Sequence, residues 1–182
     1  PGFFTGGGVR SGGPVLVYWP ALIDSKHISE TVHFDGKETT ILPTNQLGLE
    51  ETYYQKQPID IQPAPSDPSI KMPLGELFGA RSGDKGGCAN IGVWAKTENA
   101  YSFLNECLTV KQIKELMPDL AEFQIDRYEL PNILSLNFYI HGILEDGVSS
   151  NTRKDGQAKS LGEYLRAKYI EIPKSLIKEK EA

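Results

Sequence analysis

The residues with the greatest chemical capacity sit in one run: Ala80-Arg81-Ser82-Gly83-Asp84-Lys85-Gly86-Gly87-Cys88-Ala89-Asn90-Ile91-Gly92. It sets Arg81, Asp84, Lys85 and Asn90 among glycines, between the apolar pieces Leu77-Phe78 and Val93-Trp94-Ala95. Glycine reaches backbone conformations that other residues avoid and lets a ligand approach the main chain closely. Successive amides in such a loop can form an anion nest, with Arg81 or Lys85 supplying positive charge. Asp84 would orient one of those cations or act as an acid or base, as would Lys85. Ser82, Gly83, Gly86, Gly87 and Asn90 would line the bound group. The run does not have Walker spacing, because Gly86 follows Lys85 where a magnesium-binding hydroxyl is needed. It also joins two expected strands, so no helix N-terminus faces the ligand. The plain alternative is a hairpin connection held by an Arg81–Asp84 or Asp84–Lys85 contact.

Other groups are weaker candidates. Asn137 and His141 lie on the polar side of one expected strand, from which either can meet the glycine loop; His141 is the candidate proton carrier there. Cys88 has positive charge close by but no histidine near it in sequence, which favours a small half-buried thiol over a nucleophile. Arg10, between Gly6-Gly7-Gly8 and Gly12-Gly13, is placed either to reach an anion or to sit in a solvated loop. His27 and His33 show no metal spacing, and two cysteines make neither a zinc site nor a disulfide framework. No metal and no cofactor are expected.

The elements that must position these groups follow from pattern. Residues 1–56 read as a short β-rich segment, with a buried strand over residues 15–19 and a hairpin turning at Asp35-Gly36. Residues 57–73 carry five of the twelve prolines and read as a linker. A fuller domain follows over 74–173: strands at 74–80 and 91–96, then helical spacing through Ala100, Leu104, Cys107 and Leu108. Thr109 is expected to cap a second short helix ended by Pro118. Strands over 124–130 and 133–144 are joined at Pro131-Asn132, with Leu134, Leu136, Phe138 and Ile140 inward. A helix through Leu161, Tyr164 and Leu165 and a strand over 169–172 complete it, and residues 174–182 read as a charged tail that frays. This order predicts an α+β fold: a ferredoxin-like antiparallel sheet with helices on one face.

Composition bounds the function. The chain has 182 residues and a formal net charge of −5, with 39% hydrophobic and 24% charged residues, which is globular rather than disordered. The acidic balance and the lack of paired exposed aromatics argue against a nucleic-acid partner. No apolar run approaches the roughly 18 residues of a membrane span, so no membrane partner is expected. With so few cysteines a reducing, cytoplasmic setting is the default.

The run from Ala80 to Val93, with Arg127-Tyr128-Glu129-Leu130-Pro131 and Leu136-Asn137-Phe138, resembles the acyclic terpene utilisation (AtuA) family. The stretch Gly12-Gly13-Pro14-Val15-Leu16-Val17-Tyr18-Trp19-Pro20-Ala21-Leu22-Ile23-Asp24 is similar to the end of that family's large N-terminal domain. The resemblance implies a C-terminal piece of a larger protein that carries an AtuA-like ferredoxin-fold domain. Family members often have an acidic residue where this chain has Cys88, which weakens any acid/base role at that position. The family is associated with breakdown of acyclic terpenes through CoA thioesters, which implies an acyl-CoA ligand and lyase- or hydratase-type chemistry. The competing expectation is a non-catalytic module that packs on the missing N-terminal domain or forms a homo-oligomer through its open sheet face.

Overall fold

The Asp35-Gly36 pair sets the first hairpin. Both residues have positive φ (48° and 70°), the requirement of a two-residue type I′ turn. It joins β1 (Glu30–Phe34) to β2 (Lys37–Ile41) in the register Phe34↔Lys37 to Glu30↔Ile41. Every residue of the ribbon is exposed, and Val32, Phe34 and Ile41 share one side. The computed structural model describes residues 13, 14, 16, 17, 20–41 and 61–181. The chain divides into two units, residues 19–59 and residues 1–18 with 60–182. Of the run expected to form a buried strand, Leu16 and Val17 are exposed and outside any strand. Residues 15, 18 and 19, and Arg10, lie outside the described residues.

In the second unit, residues read as the end of a linker form β3 (Ser69–Pro73), paired antiparallel with β8 (Tyr169–Pro173). Proline suits the end of such a strand, where no ladder donor is needed. Residues 74–76 are a 3-10 turn rather than strand, and β4 (Gly79–Lys85) starts after it. β4 pairs with β5 (Cys88–Trp94), β5 with β7 (Ser135–Ile140), and β7 with β6 (Ile125–Leu130), every pair antiparallel. On β5, Ala89, Ile91 and Val93 are fully buried; on β7, Leu136, Phe138 and Ile140 are. Alternation therefore turns one face of the sheet inward.

Three helices cover that face. α1 (Glu98–Cys107) is capped by Thr97, whose hydroxyl accepts the Ala100 amide, and α2 (Val110–Leu116) by Thr109 through the Gln112 amide. Each such cap stabilises its helix by about 1 kcal/mol. α3 (Leu161–Arg166) lies against β4. Ala100, Tyr101 and Leu104 of α1, Ile113 of α2, and Leu161 and Leu165 of α3 join the sheet residues in one buried cluster. The fold is α+β and ferredoxin-like, as expected from the order of elements. The charged tail is a helix, α4 (Lys174–Glu181), with Leu176 buried. Asp67 ties its start down, accepting the Ser175 amide at 2.9 Å and the Ser175 hydroxyl at 2.5 Å.

Candidate functional site

The glycine-rich run is not a loop but the β4–β5 hairpin. Its pairs run unbroken from Gly79↔Trp94 to Lys85↔Cys88, leaving only Gly86-Gly87 to turn. Gly86 has φ +64° and Gly87 does not, the pattern of a type II′ turn with glycine at its first position. In an extended strand successive amides point to opposite edges, so the run cannot form the anion nest expected from the sequence. Alternation also divides the expected site. Ser82 and Asp84, opposite buried Ile91 and Ala89, point to the helix-covered side. There Ser82 Oγ accepts the Gly162 amide at 2.8 Å, which docks α3 on β4. Neither supports Arg81 or Lys85, which lie on the other face, and the Lys85 ammonium donates to its neighbour's carbonyl, Asp84 O, at 2.8 Å.

The open face is where most of the remaining candidates meet. It carries Arg81, Gly83 and Lys85 from β4, Cys88, Asn90, Gly92 and Trp94 from β5, and Asn137 and Tyr139 from β7, with His141 just beyond. Asn90 Nδ2 donates to Asn137 Oδ1 at 2.9 Å, so the two asparagines form one cross-strand unit. Arg81 is exposed, and its guanidinium has no partner among the described residues. Beside it, a Cβ on Gly83 would meet nothing within 4 Å, and one on Gly92 only the Arg81 carbonyl at 3.7 Å. Neither has positive φ. Glycine inside a strand weakens it, and marks places where something else approaches the backbone. At the far end, the Trp94 indole lies directly over Gly79, where any Cβ would collide with it.

A second cluster occupies the β6–β7 end of the same face. His141 Nε2 lies 2.7 Å from Asp126 Oδ2. The hydrogen bond from His141, and a weaker one from Gln124, hold the Asp126 carboxyl below the ordinary carboxylate range. The Tyr139 ring meets the His141 ring edge-on, with centroids 4.9 Å apart. Its phenol is pushed above the usual range, first by a hydrogen bond to Cys88 and then by burial. The Cys88 sulfur also accepts the Gly142 amide at 3.4 Å. Cys107 is unlike it: burial pushes that thiol up to about 12. Among the described residues no three His, Cys, Asp or Glu side chains converge as metal ligands would.

Asp126 and Tyr139 are the members of this cluster that sequence reasoning did not single out. The signal was the parity of the β6–β7 hairpin, which places Asp126 opposite Tyr139. Joining the strands at two residues gives the wrong register. The connection is a 3-10 turn over Pro131–Ile133 followed by Leu134 in the left-handed region (φ 50°), so the pairing starts only at Leu130↔Ser135.

Two cavities, of about 370 and 410 Å³, lie away from this face's polar groups. The smaller is between Phe103 and Tyr169, the larger between Trp94 and Leu176.

A family model, the AtuA ferredoxin-like domain, matches residues 72–171, more than half of the chain. The chain belongs to this family. No match was found among curated proteins or among solved structures. The AtuA match starts within β3 and ends within β8, so it takes in both strands of that pair and all of the four-stranded sheet. Both clusters of the open face therefore lie inside the AtuA domain. No helix among the described residues is long and apolar enough to cross a membrane.

Proposed function

We propose that this chain is the C-terminal part of an AtuA-like protein of acyclic terpene or branched acyl-CoA catabolism in the cytoplasm. The open face of its sheet receives the anionic part of a CoA thioester. The observation that carries the reading is Arg81, a cation with no partner among the described residues, beside two strand glycines that leave the backbone bare. A carboxylate, enolate or phosphate resting on Gly83 and Gly92 would meet the Arg81 guanidinium, with Lys85 as a second charge. The Asn90–Asn137 pair presents amide donors and acceptors, and the His141–Asp126 pair can carry a proton.

A second reading is favoured by the exposure of Arg81, because a water-exposed cation holds an anion weakly. In this reading the domain is a non-catalytic module that packs through this face on the N-terminal part of a longer protein, or on a second copy.

Calorimetric titration of the chain with CoA, isovaleryl-CoA and inorganic phosphate separates them. The thioester reading expects isovaleryl-CoA binding that weakens about tenfold, ~1.4 kcal/mol, in the double variant Arg81→Ala/Lys85→Ala. Equal affinity for the chain and the variant contradicts it. Sedimentation showing a dimer that the same variant dissociates supports the module instead.

A further inference from the structure

The Cys88 thiol has a hydrogen-bond donor aimed at it and no role in the reading above. The Gly142 amide points at its sulfur from 3.4 Å. An amide aimed at a sulfur can meet the charge that shifts there as it attacks an electrophile. Its strand position brings a base close. Asn90 pairs with Tyr139 and Ala89 with Ile140, the last pair of the ladder, so continuing the register by one residue sets His141, just beyond β7, across from Cys88. Side chains opposed in that way on neighbouring strands have Cβ atoms about 5 Å apart. Asp126, ionised at neutral pH, has only acceptors, so the His141 nitrogen at 2.7 Å from it carries a hydrogen. A neutral ring then keeps its lone pair on Nδ1, free to take a proton.

We propose that Cys88 is an acyl acceptor, its Sγ taking an acyl group from a thioester on the open face while His141, oriented by Asp126, takes the thiol proton. Sγ attacks the thioester carbonyl carbon, the carbon–sulfur bond of the donor breaks, and the proton passes through His141 to the departing thiolate. One thioester replaces another, with no change of oxidation state. The choice of a thioester as donor rests on the function proposed above; the position of the sulfur beside the Gly142 amide does not.

The test uses the whole chain and the S-acetyl thioester of N-acetylcysteamine, which lacks the nucleotide of CoA and needs no anion site. Peptide mass spectrometry follows acetylation of each cysteine at neutral pH, in the native chain and in the chain unfolded by urea. Native Cys88 is expected to acetylate about tenfold faster than the same residue unfolded. Native Cys107, its thiol pushed up to about 12, stays unmodified as the control, and the Cys88→Ser variant gives no adduct at that position. His141→Gln and Asp126→Asn, checked by circular dichroism for an intact fold, slow acetylation towards the unfolded rate. A native rate no higher than the unfolded rate overturns the proposal, as does a rate unchanged in His141→Gln. Calorimetric binding of isovaleryl-CoA without any adduct removes this inference alone. An adduct without CoA binding removes the anion site alone.

Discussion

Gly83 and Gly79 sit four residues apart on the same face of β4, and their surroundings give opposite predictions. Gly83 faces open space, so Gly83→Ala adds no clash and removes chain entropy from the unfolded state; the domain is expected to gain about 0.5 kcal/mol. Isovaleryl-CoA binding should fall in the same variant, because the methyl group stands where the ligand meets the backbone. Gly79→Ala drives its Cβ into the Trp94 ring, and is expected to lose about 2 kcal/mol. Urea unfolding of the two variants checks both signs. A Gly83→Ala variant that is destabilised, or that binds as the parent does, counts against a bare floor for ligand. At this scale the sequence misread the geometry of the stretch it singled out. Arg81, Lys85, Asn90 and Asn137 do share a face. Ser82 and Asp84 do not, because seven consecutive residue pairs turn an apparent loop into strand and alternation sends every second side chain behind the sheet.

Between elements, Arg127 is the side chain that joins α1 to β6. It comes from the core-facing side of β6, and its guanidinium donates to Leu108 O at 3.2 Å and to Asn105 O at 2.7 Å. It also reaches Asn105 Oδ1 at 2.6 Å and Glu129 Oε1 at 2.7 Å. The carbonyls at a helix C-terminus have no partners within the helix, and a cation there offsets the negative end of the dipole. Arg127→Ala leaves those carbonyls and Glu129 unpaired and is expected to cost about 3 kcal/mol in urea unfolding. Arg127→Lys should recover only part, since one ammonium cannot span the helix end and Glu129. A loss below about 1 kcal/mol in Arg127→Ala would show that solvent serves those carbonyls as well.

The Asp67 contact with α4 gives a pH dependence. Hydrogen bonds from the Ser175 hydroxyl, then from its amide, hold the Asp67 carboxyl below its usual value. A carboxyl lowered in the folded state contributes stability above its unfolded value, and that contribution is lost as pH falls through the lowered folded value. The difference in urea midpoint between the chain and Asp67→Ala should therefore be constant from neutral pH down to about pH 5 and narrow below about pH 4. A difference that does not change with pH would mean that Asp67 acts on α4 without its charge. Most elements were legible from periodicity and capping: Thr97 and Thr109 begin helices, and Leu136, Phe138 and Ile140 alternate inward. β3 and α4 were not, because a proline-rich stretch becomes strand, and a charged tail becomes helix, only through partners about 100 residues away.

Within residues 61–181, helices pack on one face of the four-stranded sheet and the polar side chains lie on the other. That face holds two polar clusters at opposite ends, Arg81 with the glycine floor and Cys88 with Tyr139, His141 and Asp126. The larger cavity, between Trp94 and Leu176, offers a different place for a ligand, bounded by Lys96 and Lys180. Amide chemical-shift mapping of the isotopically labelled chain with isovaleryl-CoA tests whether ligand meets the open face. Binding there gives the largest shifts at Arg81, Gly83, Asn90, Gly92 and Asn137, with little change at Lys96 or Lys180. Shifts confined to the Trp94–Leu176 cavity, or none at ligand concentrations near 1 mM, where binding of about −4.1 kcal/mol would still register, would contradict it.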